Sequence, residues 1–191
     1  MGALHRRHDP DPILTADDLA ELPDDGKRRE LFEGELVMTP APSLDHQDIV
    51  LTLARILSAH FDDRGLGRVM VAPVDVVLSR VTVLQPDVVV VLADRIGILA
   101  ERGVHGAPDL VVEVMSPSTS AADRRVKPQL YVHHGVRHYW LVDPRAKQLT
   151  EFVAEGRKYR QALVASAPDV VRATFGGGVD VDLGWVFRRV K

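Results

Sequence analysis

Residues 84–91, with the sequence LQPDVVVV, and residues 109–115, with the sequence DLVVEVM, decide the fold of this chain. Consecutive Val and Leu residues without polar alternation are typical of β-strands that are covered on both faces. Each stretch nevertheless carries one carboxylate in its apolar surroundings, Asp87 in the first and Glu113 in the second. Carboxylates are almost never buried unless they are paired or bind a metal. We therefore expect both acids to have a charged partner.

The length and composition indicate one globular unit. The chain has 191 residues, of which 46% are hydrophobic, and this is enough for a single well-packed domain. We predict that the domain spans residues 13–191 and that residues 1–12, which contain Pro10 and Pro12, form a flexible tail. The net charge of −3 argues against a uniformly basic nucleic-acid binder but leaves room for a local basic groove. The chain contains no Cys, which excludes disulfides and thiolate metal sites.

Nothing in the sequence predicts a membrane protein. The longest apolar run, Val88 to Ala93, is far shorter than the roughly 20 residues that a membrane-spanning helix needs. Residues 1–10 carry charges without a following apolar segment, so they do not resemble a signal peptide. We therefore expect a cytoplasmic protein without a membrane partner.

Periodicity and capping signals predict the remaining elements. The apolar stripe formed by Ile49, Leu53 and Leu57 indicates a long helix over residues 44–61. We further predict helices over residues 16–22 and within 120–134, a hairpin that pairs residues 29–32 with 35–38, strands over residues 69–78, 83–92, 110–115 and 137–142, a second hairpin around residues 155–156, and a terminal strand near residues 179–183. This order predicts an α/β fold in which helices flank a mixed β-sheet.

The strands that carry Asp87 and Glu113, if they are neighbours, can share one hard cation. Magnesium prefers oxygen ligands and typically binds one or two carboxylates, while water and substrate phosphate complete its shell. A cation held there can activate water and neutralise charge on a phosphodiester. Structural roles stay open as well. An Asp after a proline is common at strand entrances, and Glu113 could instead pair with an arginine.

A cationic side chain near the two acids would stabilise the negative charge that develops during such a reaction. Of the lysines, at positions 27, 127, 147, 158 and 191, only Lys127 lies in the segment after the Glu113 strand. On a helix it shares one face with Asp123 and Tyr131, so a solvated ion pair with Asp123 is the competing interpretation. Pro128 requires the helix either to kink or to begin at that residue.

These residues belong to a longer set of motifs that resembles a known family. Besides Asp87, Glu113 and Lys127 with Tyr131, the set includes ELFEGELVM at residues 30–38, HQ at 46–47, APVDV at 72–76 and GVRHYWLVDP at 135–144. In this order, over roughly residues 15–187, the motifs are similar to those of the Uma-two-type restriction endonuclease family of the PD-(D/E)XK nuclease superfamily.

The resemblance implies a restriction-endonuclease-like core and a magnesium-dependent endonuclease that hydrolyses phosphodiester bonds, in DNA rather than RNA. It makes Asp87, Glu113 and the Val114 carbonyl metal ligands, with Mn²⁺ able to replace Mg²⁺, and it gives Lys127 the role of the superfamily lysine. In the superfamily pattern this lysine stands two residues after the second acid, where this chain has Met115. The role would therefore pass to a residue on the following helix.

Six further residues are accessory candidates for the site. They are Glu30, Glu35, His46, Asp75, Ser116 and Tyr131. Glu30, Glu35 and Asp75 could add to the metal site, while His46 and Ser116 could contact phosphate. The competing structural roles are a hairpin cap for the two glutamates and a turn or helix cap for His46 and Ser116.

The sequence also allows a function other than catalysis. The alternative to an enzyme is a catalytically inactive nuclease-like module that binds nucleic acid or supports assembly, and its mark would be a missing acid or lysine. The presence of both Asp87 and Glu113 favours catalysis.

By analogy we expect a homodimer, because two symmetric sites cut both strands of a duplex most easily.

Overall fold

The computed structural model describes residues 13–23, 25–116 and 121–190, and for residues 121–124 it describes the backbone only. The predicted tail, residues 1–12, lies outside these ranges, so its boundary with the domain stays a prediction. The helices are α1 (Ala16–Glu21), α2 (Leu44–Phe61), α3 (Ala121–His133) and α4 (Leu183–Val186). The strands are β1 (Arg28–Phe32), β2 (Glu35–Thr39), β3 (Gly67–Val71), β4 (Val76–Ser79), β5 (Thr82–Leu84), β6 (Val88–Leu92), β7 (Leu99–Ala100), β8 (Gly103–His105), β9 (Leu110–Val114), β10 (His138–Asp143), β11 (Gln148–Glu155), β12 (Lys158–Ser166), β13 (Val170–Ala173) and β14 (Val179–Asp182).

The strands of the described residues form two six-stranded sheets and one two-stranded ribbon. The central sheet has the order β12-β11-β10-β9-β6-β3, the second sheet has the order β2-β1-β5-β4-β8-β7, and the ribbon pairs β13 with β14. In the central sheet, β9 is antiparallel to β6 but parallel to β10. The predicted α/β fold, with mixed sheets flanked by helices, is therefore confirmed.

The two faces of the central sheet are covered by different layers. On one face, Leu53 of α2 belongs to the same apolar cluster as Val112 and Trp140 of the sheet, and the ribbon completes this layer. On the other face, Val111 of the sheet clusters with Tyr131 of α3 and with residues of the second sheet. This two-sided cover explains the unbroken apolar runs of the inner strands.

Helices α1 and α2 begin where their capping signals predict. Thr15 and Asp18 form the reciprocal capping box of α1, and Ser43 accepts the backbone N–H of His46 at the start of α2. Helix α3 runs through Pro128 and does not begin at it. None of the helices among the described residues has the length and apolar character required to cross a bilayer.

Two predicted strands were wrong in their extent. Residues 69–78 form β3 and β4, and residues 83–92 form β5 and β6. In each case the two halves pair in different sheets. The prolines in the breaks, Pro73 and Pro86, lack the backbone N–H that a continuous ladder needs. The chain therefore changes sheets at each proline.

A buried acid on β11, which the sequence did not single out, joins the ribbon to the central sheet. Glu151 is fully buried and accepts the indole N–H of Trp140 at 3.2 Å. It also accepts the backbone N–H groups of Thr174 at 2.8 Å and Phe175 at 3.2 Å, directly after β13. The carboxylate thus satisfies three donors at the junction of two layers.

Candidate active site

Asp87, Glu113 and Lys127 line one pocket of about 100 Å³, a volume that can hold several water molecules. Its other charged lining residues are Arg28 and Glu30, and the imidazole of His46 also lines it. The remaining lining residues are Met38, Thr39, Pro40, Pro42, Val114, Met115, Ser116, Tyr139 and Leu141. Both sheets and both long helices contribute side chains, so the pocket exists only in the folded chain.

Pairing between β6 and β9 brings the two acids together. Val88, the first residue of β6, lies opposite Val112 of β9, and the N–H of Asp87 donates to the Val112 carbonyl at 3.1 Å. Asp87 therefore lies beside Glu113 and Val114. Because side chains alternate along a strand, Glu113 points away from the core that contains Val112 and towards α3.

The Asp87 carboxylate is buried and held by three groups. Its Oδ2 atom accepts the backbone N–H of Val114 at 2.8 Å and lies 3.2 Å from His46 Nε2. Its Oδ1 atom accepts Arg28 Nη1 at 3.1 Å. The side chain of Asp87 is only 4% exposed, so its orientation is fixed by the protein and not by solvent.

The Glu113 carboxylate is bound through one of its oxygens. Oε1 accepts the Tyr131 hydroxyl at 2.7 Å and lies 3.1 Å from Lys127 Nζ. Lys127 and Tyr131 are one turn apart on α3, so both reach the same oxygen. Among the residues that the structure describes, no hydrogen bond to Oε2 is seen.

Lys127 is held on its other side by a third acid, Glu30 of β1. Lys127 Nζ lies 2.8 Å from Glu30 Oε1, which also accepts the backbone N–H of Gln85 at 2.7 Å. Glu30 is fully buried, and its Oε2 accepts the Thr39 hydroxyl at 3.3 Å. The lysine is therefore fixed between two carboxylates, one from each sheet.

Burial and neighbouring charges shift the pKa values of these groups in different directions. Burial alone would raise the pKa of Asp87, but the hydrogen bond and charge of His46 and the charge of Arg28 hold it below its ordinary value. Burial raises the pKa of Glu113 despite the opposing charge of Lys127. Burial would lower the pKa of Lys127, but the charges of Glu113 and Glu30 raise it above its ordinary value. Opposite shifts in two neighbouring carboxylates are common at functional sites.

The accessory candidates divide into those that line the pocket and those that do not. Glu30, His46 and Ser116 line it, and Tyr131 contacts Glu113 from α3. Glu35 is exposed on β2 and lies outside the pocket lining. Asp75 also lies outside the lining, where its Oδ1 accepts Gln85 Nε2 at 2.7 Å.

One further feature of the pocket was expected from the sequence, and one was not. Met115 occupies the position of the superfamily lysine and lines the pocket, while α3 supplies an ammonium group through Lys127. Arg28 was not among the candidate site residues, although it is the counter-ion of Asp87. It lies among other charged residues at positions 27–30, so no local signal separated it from a surface arginine.

The donor atoms of the pocket fit a hard divalent cation. Asp87 Oδ1 and Glu113 Oε2 are carboxylate oxygens, which Mg²⁺ prefers, and the pocket leaves space for the waters that Mg²⁺ retains. Within the described ranges, no group of three or more His, Cys, Asp or Glu side chains that could hold a metal ion is found, so these side chains form no metal cage by themselves. Mg²⁺ usually needs no such cage, because one or two carboxylates suffice.

Comparisons with known proteins identify the family and the fold. The model of the Uma2 family, described as "Putative restriction endonuclease", matches residues 16–184. A solved structure from Anabaena variabilis, described as a putative nuclease belonging to DUF820, superposes with a TM-score of 0.76 at 20% sequence identity. The match covers 93% of this chain and 99% of that chain, and it shows a restriction-endonuclease-like fold. No curated protein matches the sequence.

Proposed function

The chain belongs to the Uma2 family of putative restriction endonucleases, and from this premise we propose that it is a divalent-metal-dependent endonuclease. Its substrate is a phosphodiester bond in DNA, and its catalytic residues are Asp87, Glu113 and Lys127. Mg²⁺ is the proposed cofactor, and Mn²⁺ is proposed to support the same reaction in its place.

A homodimer that acts on both strands of a duplex is the proposed assembly. Sedimentation of the free protein would test it.

One observation carries the proposal: two carboxylates from adjacent strands and one lysine share a pocket with room for water. Asp87 Oδ1 and Glu113 Oε2 are the oxygens that would hold the cation, and the Val114 carbonyl is the third proposed ligand. A cation bound there would activate water and neutralise charge on the phosphate. Burial of the pocket strengthens these interactions because the local dielectric constant is low.

The protein's own groups supply orientation and charge. His46 and the Val114 N–H hold Asp87 Oδ2, so a cation would bind at Oδ1 in place of Arg28 Nη1. Tyr131 holds Glu113 Oε1 and thereby orients Oε2 in the same way. Lys127, fixed by Glu30, would stabilise the negative charge that develops on the phosphate as its bond to the leaving oxygen breaks.

The proposal is tested by metal titration and plasmid nicking with the wild type and Asp87→Ala. We expect Mg²⁺ or Mn²⁺ to bind the wild type and to support nicking of supercoiled DNA. Asp87→Ala is expected to lower metal affinity and to reduce nicking by roughly a hundredfold, because one charged ligand of the transition-state assembly is lost. Calorimetry measures the metal affinity, and gel electrophoresis measures the nicking rate.

Glu35→Gln is the matched control, because this acid lies on β2 outside the pocket. Its metal affinity and nicking rate should equal those of the wild type. A wild type that binds metal no better than Asp87→Ala and never nicks DNA would eliminate the nuclease proposal. If metal and DNA bind without nicking, the inactive nuclease-like module is the correct interpretation. If Asp87→Asn changes only the melting temperature, the acids and their cationic neighbours form a structural cluster.

A further inference from the structure

We propose that Arg28 has two roles at this pocket: it is the counter-ion of Asp87 in the metal-free protein, and it binds the substrate phosphate once a cation takes its place. This inference rests on the proposed function and adds a residue to it. Arg28 would then make metal binding and DNA binding depend on each other.

The first argument is that Arg28 contacts the oxygen of Asp87 to which the cation is proposed to bind. Oδ2 already interacts with the Val114 N–H and with His46 Nε2. Oδ1 accepts Arg28 Nη1 at 3.1 Å. A divalent cation at Oδ1 would face the positive guanidinium directly, and the two like charges would repel each other strongly in a buried pocket. Metal binding is therefore expected to displace Arg28 from Asp87.

The second argument is that the Arg28 guanidinium has unused hydrogen-bonding capacity. A guanidinium carries five N–H donors, yet the bond to Asp87 is the only one it makes among the described residues. Its Nε is buried and has no hydrogen-bond partner within the same residues. Arginine is also the side chain best suited to bind a phosphate through two parallel hydrogen bonds. A group of this kind in a pocket wall is suited to receive a phosphate.

The third argument is the distribution of charge around the pocket. Lys127 lies between Glu30 and Glu113, whereas Arg28 faces Asp87. Arg28 also interacts at longer range with the charges of Glu113 and Glu30, but within the described part of the chain its one direct ion pair is with Asp87. Displacement of Arg28 therefore breaks none of the ion pairs of Lys127. Arg28 is the cation that a metal must move, and the substrate phosphate is the anion to which it can move.

The test compares Arg28→Gln with Arg29→Gln and Arg28→Lys. Arg29 is a matched control, because it follows Arg28 on β1 but binds Asp25 and the Pro23 carbonyl instead of the pocket acids. Mg²⁺ affinity is measured by calorimetry without DNA. DNA affinity is measured by the fluorescence anisotropy of a labelled duplex, with and without Ca²⁺, a cation of the same charge that also takes oxygen ligands. Thermal melting verifies that each variant is folded.

Without DNA, Arg28→Gln should bind Mg²⁺ about tenfold more tightly than the wild type, because the competing charge is gone. With Ca²⁺ present, it should bind DNA about tenfold more weakly, because one charge-assisted phosphate contact is lost. Arg29→Gln should match the wild type in both measurements. Arg28→Lys should retain the wild-type Mg²⁺ affinity, because it keeps the competing charge.

Unchanged or weaker Mg²⁺ binding by Arg28→Gln would overturn the counter-ion role. Unchanged DNA affinity in Ca²⁺ would overturn the phosphate role. These failures are distinct from failure of the proposed function, which is an absence of metal-dependent nicking by the wild type. A wild type that binds metal and DNA without nicking still allows both affinity comparisons, and a wild type that binds no metal refutes both proposals.

Discussion

Replacing Lys127 by methionine is expected to lower the free energy of unfolding by about 4 kcal/mol, because it leaves Glu30 and Glu113 without their shared counter-ion. Lys127 is 9% exposed, and Glu30 is fully buried. Methionine fills a similar volume, so the loss would come from charge and not from a cavity. Urea denaturation of the wild type and the variant measures the difference.

Two further variants identify the source of this loss. Lys158→Met changes an exposed lysine on β12 and should alter the stability by less than about 0.5 kcal/mol. The double variant Glu30→Gln with Lys127→Met should be more stable than Lys127→Met alone, since one uncompensated charge has been removed. If Lys127→Met is as stable as the wild type, the Glu30–Lys127–Glu113 arrangement does not contribute to folding.

Lys127→Met should also abolish most of the proposed activity. An ammonium that stabilises developing charge is worth roughly a hundredfold to a thousandfold in rate. Nicking by Lys127→Met should therefore fall by at least that range under conditions where the variant remains folded. Normal nicking by a folded Lys127→Met would show that another residue performs the role assigned to the lysine.

Local signals predicted the parts of the fold that depend on nearby residues. Helix α2 matches its predicted range, and the β1–β2 hairpin follows its turn sequence, because capping and turn formation involve only a few consecutive residues. The strands around Pro73 and Pro86 were predicted as continuous because apolar composition does not reveal which sheet a strand joins. That choice depends on pairings between distant segments, such as Leu31 with Val83.

The same distinction explains which site residues could be predicted. Asp87 and Glu113 stand out because each is a charge within an apolar run. Glu30 and Arg28 lie in a charged segment, and they reach the pocket through contacts with Gln85 and Asp87, which are 55 and 59 residues away. Only the pairing of β1 with β5 brings them there. The sequence also indicated Lys127, Glu30, His46 and Tyr131 as candidates, from the order of the motifs. Arg28 and the contacts that join these groups emerged only from the tertiary structure.

Replacing Glu151 by glutamine should lower the free energy of unfolding by about 3 kcal/mol, because buried donors are left unsatisfied. The carboxylate accepts hydrogen bonds from Trp140, Thr174 and Phe175. A glutamine has one acceptor oxygen, and its NH₂ group would face an N–H donor. For a chain of this size the loss corresponds to a fall in melting temperature of roughly 6–12 °C. Glu155→Gln, on the same strand but exposed and paired with Arg160, should cost less than about 1 kcal/mol.

The pH dependence of the free energy of unfolding shows whether Glu151 stabilises the fold through its charge or through its shape. Burial alone would raise the pKa of Glu151, but contacts with His138, the Thr174 N–H and Trp140 hold it below its ordinary value of 4.5. A carboxylate with a lowered pKa contributes stability above its unfolded-state pKa and loses it as the pH falls through the folded-state pKa. The difference in the free energy of unfolding between the wild type and Glu151→Gln should therefore be constant near neutral pH and decrease below about pH 4.5. If this difference stays constant down to pH 2, the side chain stabilises the junction of the ribbon and the central sheet through its shape and not through its charge.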